Sequence, residues 1–359
     1  MAEKEKVLEV SNLSVGFLSH GKKMNVIRNV SLDVYQGETL AIVGESGSGK
    51  SVFTKTFTGM LDSNGFISSG SIMFHGQDIS KLKTTKEWKG IRGKKIATIF
   101  QDPMTSLNPL LTIGYQIEEV LRLHHGLSKE EAREEAISLL RKVRIPEPEK
   151  RIKDYPFQYS GGMRQRVVIA IALACRPEIL ICDEPTTALD VTVQAQILEL
   201  IRDLQKEYHW TTIFITHDLG VVANIADRIA VMYGGQVVEY GTSEDIFYSP
   251  AHPYTWALLS SLPQLGTKDE PLVYIKGNPP SFTSEIIGDA FAIRNDYAMK
   301  IDYVMDPPMF KISDTHFAKT WLLDPNAPKV KKPKIIENLK ERMRQAALDL
   351  KREVGDKDE

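Results

Sequence analysis

Cysteine is almost missing from this sequence: Cys175 and Cys182 are the only two in 359 residues. Two thiols supply no disulfide framework, so the chain suits a reducing cytoplasm. One lies in an apolar helical stretch and the other in an apolar strand, so both read as small core hydrophobes. Long apolar runs are missing too. The longest, Val167 to Cys175, falls far short of the ~20 residues that cross a bilayer, so a pore would have to come from other chains. No apolar N-terminal segment suggests secretion. Charge of one sign is also lacking, since 45 Lys+Arg face 47 Asp+Glu for a net charge of −2. That balance argues against the basic face of a general nucleic-acid binder. What remains is a chain 42% hydrophobic and 26% charged, long enough for two or more compact units.

The stretch Gly44-Glu45-Ser46-Gly47-Ser48-Gly49-Lys50-Ser51 is a complete phosphate-binding loop, G-x-x-x-x-G-K-[ST]. Before it, Glu38-Thr-Leu-Ala-Ile-Val43 reads as a buried strand, and Ser51 to Met60 reads as a helix. The glycines let the backbone turn tightly and aim N–H groups inward, where the helix start adds partial positive charge. Lys50 is placed to reach the β- and γ-phosphates of ATP, and the Ser51 hydroxyl to ligate Mg²⁺.

A second nucleotide element is Glu178-Ile-Leu-Ile-Cys-Asp-Glu184. Asp183 at the strand end suits Mg²⁺ held through water, and Glu184 suits a base that orients or deprotonates the attacking water. His217 follows a third apolar strand, Thr211 to Thr216, and Gln101 follows Ile96-Ala-Thr-Ile-Phe100. Ser160-Gly161-Gly162 opens an apolar helix, and its two glycines permit close approach to a phosphate. Phe17, before the turn-like His20-Gly21, is the aromatic on which adenine would stack, with core packing as the rival role.

In order along the chain, the phosphate loop, Gln101, Ser160-Gly161-Gly162, Asp183-Glu184 and His217 resemble the ATP-binding-cassette (ABC) ATPases. Phe100-to-Pro109, Ser160-to-Arg166, Asp183-to-Val191, the run from His252 to Leu259 and Gly277-Asn-Pro-Pro280 look like the ATPase subunits of bacterial oligopeptide/dipeptide importers. The resemblance spans residues of about 6 to 325. It implies an α/β fold: a P-loop NTPase domain of ABC type with an antiparallel β subdomain, a helical subdomain and a C-terminal extension. It implies that His217 contacts the γ-phosphate, that Gln101 senses Mg²⁺ and the attacking water, and that the loop ending at Asp190 meets a partner subunit. Ser160–Gly162 would then face an ATP held by that partner.

The expected organisation is an ATPase domain over 1–250, with its helical subdomain at about 102–177. An extension follows at 251–328, then a basic linker and amphipathic tail at 329–359. Ser128 with Glu131 forms a capping box for a charged helix ending near Val143. Ile336, Leu339, Met343, Ala346 and Leu350 recur at helical spacing in the tail, as a docking stripe or a partly solvated helix. Relatives often carry a C-terminal cysteine cluster for an iron–sulfur centre. Here Gly288, Phe291, Arg294, Ala298 and Met299 keep the scaffold, but Asp289, Asn295, Asp302 and Thr320 stand where cysteines would be. Such side chains are poor substitutes for thiolates, so no iron–sulfur cluster is expected. Apolar contacts from Phe291, Tyr297, Met299, Tyr303, Phe317 and Trp321 should hold the extension instead.

The function implied is ATP binding and hydrolysis, with Mg²⁺, that energises import of oligopeptides or dipeptides. The alternative within the family is a nickel or other small-solute importer. A soluble cassette ATPase acting on nucleic acid would show long heptad insertions, zinc cysteines or tandem cassettes, and the sequence has none. The implied partners are a second ABC ATPase as a heterodimer, two integral membrane permease subunits and an extracellular substrate-binding lipoprotein, with no nucleic acid. The chain would sit peripherally on the cytoplasmic face of the membrane.

Overall fold

The computed structural model describes residues 5–19, 21–187, 189–262, 275–339 and 341. Apolar side chains alternate along β1 (Lys6–Ser19) and β2 (Lys22–Tyr35), and the two pair antiparallel. With β4 (Gly65–Phe74) and β5 (Gln77–Asp78) they form a sheet of order β2-β1-β4-β5.

The second sheet carries the chemistry. Its parallel part consists of β3 (Thr39–Val43), β6 (Ile96–Ile99), β7 (Ile179–Asp183), β8 (Thr211–Thr216) and β9 (Arg228–Tyr233). These short strands are almost wholly buried, as expected when both faces of a parallel sheet are covered. Antiparallel β10 (Gln236–Thr242) follows, then β11 (Phe310–Lys311) and β12 (Phe317–Ala318). The order is β11-β12-β10-β9-β3-β8-β7-β6. Late residues therefore extend the same sheet that carries the phosphate loop.

Strand β3 alternates between two cores. Leu40 and Ile42 face the cluster of the antiparallel sheet, with Ile27, Phe53 and Phe57. Ala41 and Val43 face a cluster built with Tyr254, Trp256 and Phe291. A third core joins helices Ile113–His125, Lys129–Lys142 and Gly161–Ala174 to the sheet, and it holds both cysteines. Burial raises the Cys175 thiol to about 11 and pushes that of Cys182, which is fully buried, higher still. Ser128 and Glu131 make the expected reciprocal cap, with Ser128 Oγ accepting the Glu131 N–H at 3.2 Å.

The helix after the phosphate loop is shorter than its sequence suggests. It runs Lys50–Lys55 and tightens to a 3₁₀ turn over Thr56–Thr58. Gly59 then turns left-handed at φ 60°, where any side chain would strike the Trp88 ring.

In the extension, the four polar residues at the cysteine positions are all buried. Asp289 Oδ1 accepts the Phe291 N–H at 2.9 Å, and Asn295 Oδ1 accepts that of Tyr297 at 3.0 Å. Asp302 Oδ2 accepts the Met299 N–H at 2.6 Å, and Thr320 Oγ1 that of Leu322 at 3.3 Å. Each side chain closes a local turn by satisfying a backbone donor. Aromatic packing adds Tyr240 stacked on Phe317 at 4.8 Å and Trp256 edge-on to Tyr297 at 5.4 Å. Tyr303, expected to pack, is instead 52% exposed. Ile336 and Leu339 from the tail stripe dock within the chain's own cluster of Ala41, Val43, Tyr254 and Phe291. Met343, Ala346 and Leu350 lie outside the described residues, as do His20 and Ala188.

Candidate functional site

The carboxyl ends of β3, β8, β7 and β6 lie side by side, and the loops leaving them carry the predicted residues in a row. That crevice is where ligands bind in open α/β sheets. The phosphate loop follows β3. His217 follows β8, Asp183 ends β7 with Glu184 next, and Gln101 follows β6.

The loop is a cradle that side chains would fill. Gly44 sits at φ 157°, and a Cβ there would fall 2.2 Å from the Met232 carbonyl oxygen. Ser48 Oγ is buried without a hydrogen-bond partner, while Ser46 and Gly47 are exposed. Lys50, 5% exposed, folds its ammonium back to the carbonyls of Gly44 and Glu45 at 2.8 and 3.0 Å. Burial lowers its pKa, and Glu184, Asp183 and Glu45 pull it back up.

Ser51 Oγ donates to Asp183 Oδ1 at 2.9 Å, which joins the ends of β3 and β7. Burial raises the Asp183 carboxyl above the usual carboxylate range, and the Ser51 hydrogen bond opposes the shift. A hydroxyl and a carboxylate, both hard oxygen donors, fit Mg²⁺. Among the described residues no cluster of three or more His, Cys, Asp or Glu could hold a metal, so ordered waters and phosphate oxygens would have to complete the coordination.

Glu184 is the hub. Its Oε2 accepts from Gln101 Nε2 at 3.2 Å and from Thr187 Oγ1 at 3.0 Å, and lies 3.3 Å from His217 Nδ1. Its Oε1 is 3.9 Å from Lys50 Nζ. The residue adopts φ 47°, uncommon for a side chain of this size, held there by its N–H bonded to Ile215 O at 3.0 Å. Thr187 was not anticipated from sequence, because a threonine after a strand carries no signal of its own.

Ser160 caps the helix Gly161–Ala174, and Asp190 caps Val191–Tyr208; both are exposed. A Cβ on Gly161 would meet only Leu189 at 3.7 Å, which leaves that surface open to close approach. Among the described residues no hydrogen bond joins Ser160–Gly162 to the chain's own phosphate loop. Phe17 is 9% exposed, within the antiparallel-sheet core beside Gly65.

Two further residues reach the loop from the C-terminal part. Tyr254 OH accepts the Glu45 N–H at 2.8 Å, and Arg294 grips the Glu45 carboxylate with both Nη atoms at 2.5 and 3.0 Å. The sequence marked Arg294 as scaffold only, since its partner lies 249 positions away.

Residues 27–187 match the ABC transporter family, and residues 238–301 match the oligopeptide/dipeptide transporter C-terminal region. The chain is 61% identical to the oligopeptide transport ATP-binding protein AmiE of Streptococcus pneumoniae, over 96% of this chain and 97% of that one. It is 56% identical to the oligopeptide transport ATP-binding protein OppD of Bacillus subtilis, over 95% of each. It is 57% identical to the dipeptide transport ATP-binding protein DppD of Lactococcus lactis, over 92% of this chain and 94% of that one. Among solved structures, the ATP-binding cassette MJ0796 in a dimeric post-hydrolysis state with ADP and Pi aligns with a TM-score of 0.59 at 30% identity. That alignment covers 66% of this chain and 98% of the cassette.

Proposed function

The chain belongs to the ABC transporter ATPases that carry the oligopeptide/dipeptide transporter C-terminal region, and from that premise we propose how its residues divide the work. It is the ATP-binding and ATP-hydrolysing subunit that energises import of oligopeptides or dipeptides through a membrane complex. The relatives' names favour peptides over nickel as the solute.

The observation that carries the site assignment is the convergence of Gln101, His217 and Lys50 on the Glu184 carboxylate, at the ends of adjacent parallel strands. Glu184 takes the proton of the attacking water, while His217 and Gln101 fix its geometry. The loop amides, Ser48 and Lys50 hold the phosphates, Ser51 and Asp183 hold Mg²⁺ with Gln101 nearby, and Phe17 lies on the adenine side. Mg²⁺ neutralises charge on the β- and γ-phosphates when bound. Ser160–Gly162 and Asp190 act on the nucleotide of a second ATPase, with a different chain as the partner. The exposed cap of Ser160 and the open surface at Gly161 support that reading.

Among the described residues no helix is long and apolar enough to cross a membrane, which supports permeases as separate chains. Met104, Leu110 and Phe157 are 61%, 82% and 71% exposed in the helical region beyond Gln101. They suit a groove for a cytoplasmic permease helix, which would hold the chain at the inner membrane face. An external binding lipoprotein would supply peptide. The domain boundaries at 250 and 328 stand as our reading, with no iron–sulfur centre in the extension.

Reconstitution into proteoliposomes with the co-purifying permeases and binding protein tests the solute. ATP-dependent accumulation of labelled peptide, not competed by nickel, is the expected result. Nickel uptake without peptide uptake would overturn it.

A further inference from the structure

Glu45 is held at every polar group. Its N–H goes to Tyr254 OH at 2.8 Å, and its carbonyl accepts from Lys50 Nζ at 3.0 Å and the Ser48 N–H at 3.2 Å. Its carboxylate takes the Arg294 fork. Arg294 itself is 4% exposed on its side chain and spends its remaining donors on the Lys276 carbonyl at 2.7 Å, the Ile275 carbonyl at 3.4 Å and Tyr233 OH at 3.1 Å. Tyr233, Tyr254 and Phe291 pack in one cluster behind it, with ring centroids 4.6 to 5.3 Å apart.

The phosphate loop has little stiffness of its own. Gly44, Gly47 and Gly49 all adopt positive φ, and glycines lose the most freedom on ordering. Ser46 and Ser48 have short side chains. Glu45 is thus the loop residue between Gly44 and Gly49 whose side chain reaches outward to an anchor. That anchor is a planar, two-point ion pair, the geometry that fixes a carboxylate in orientation as well as position.

We propose that Arg294 is a positioning residue of the ATPase, which pre-orders the phosphate loop through Glu45 and so makes the C-terminal extension a determinant of nucleotide affinity. The proposal rests on residues 44–51 being the loop that takes the phosphates of ATP. An ordered loop loses less entropy when it closes on phosphate, so the gain appears in binding rather than in the chemical step. Burial disfavours the Arg294 charge, but the hydrogen bonds that Arg294 donates to Glu45 and Tyr233 outweigh it and strengthen its hold on the proton.

The test uses the full chain with a fluorescent ATP analogue and Mg²⁺, then the assembled complex in steady state. Arg294→Gln and Glu45→Gln should each weaken nucleotide binding by about tenfold, the scale of a lost pre-ordering contact. The double variant should be no worse than the weaker single one, because both remove the same link. Arg294→Lys keeps charge without the fork and should fall between. In the complex, KM for ATP should rise while kcat stays within about twofold. Wild-type affinity in Arg294→Gln and Glu45→Gln, or losses that add in the double variant, would overturn the proposal. If Arg294→Gln fails to fold, Glu45→Gln decides, since it keeps Arg294 and every other residue of the extension and its amide oxygen can still accept from the guanidinium. Lys50→Ala separates the two readings: unaltered binding there means that the loop assignment itself is wrong, whereas lost binding there with normal Glu45→Gln rejects only the clamp.

Discussion

Glu184 Oε2 and His217 Nδ1 stand 3.3 Å apart across the seam between β7 and β8, and Gln101 reaches the same oxygen from β6. Three strand ends thereby aim at one carboxylate. Glu184→Gln keeps the shape and removes the base, so nucleotide should still bind. Steady-state ATPase of the assembled complex should fall by ~10²-fold or more, the scale of a lost general base. Near-normal turnover in that variant would sink the assignment.

The purified chain alone should be a poor ATPase, since Ser160 and Gly161 face outward. Full activity should require the proposed second ATPase chain and the permeases. Rate per site is the measurement, taken before and after partners are added. A lone chain already at its maximal rate means that the site is not shared.

Asp289 offers a stability test with a defined sign. Burial raises its carboxyl from 3.8 to about 6, and its Oδ2 has no hydrogen-bond partner. Since the folded pKa is raised, ionisation above pH 6 costs stability, and the cost vanishes as pH falls toward 3.8. His252 runs the other way, because burial lowers it from 6.5 to about 4. Its contribution is present above pH 6.5 and lost as pH falls toward 4. The two partly cancel in wild-type protein, so a difference between variants is needed. Asp289→Asn should stabilise by about 2–3 kcal/mol at pH 7.5 and lose that advantage progressively as pH falls from about 6 to 3.8. Thermal midpoints across pH check it, and a gain independent of pH refutes the buried charge as its source.

Both cysteines lie in the core of the helical region, away from the turns of Asp289, Asn295, Asp302 and Thr320. Anaerobically purified protein should carry no stoichiometric iron or sulfide. Replacing both cysteines by alanine should leave ATP turnover largely intact, at a cavity cost of ~1 kcal/mol per site. Iron at one cluster per chain, lost in the double variant, would contradict this.

Local signals made the site legible. Short apolar strands and the residues just after them are contiguous in sequence, so local pattern points to Lys50, Ser51, Gln101, Asp183, Glu184 and His217, and the sheet order sets them side by side. The helix after the loop is shorter than its local pattern suggests, and the contact of Gly59 with Trp88, which comes from another segment, has no local signal. The Arg294–Glu45 pair was invisible for the same reason: no spacing rule links an extension arginine to a loop glutamate. The four polar residues at the cysteine positions registered only as losses of thiolate. Their compensating role depends on backbone donors that appear once the turns are formed.

The pairing of β12 with β10, and of β11 with β12, has a consequence for solubility. Without those residues β10 would present its backbone donors and acceptors to any passing chain, the situation that drives edge-to-edge aggregation. The exposed rim is instead a two-residue strand, too short to template another. Termination of the chain before residue 310 would therefore yield a cassette with intact nucleotide motifs and a self-adhesive flank.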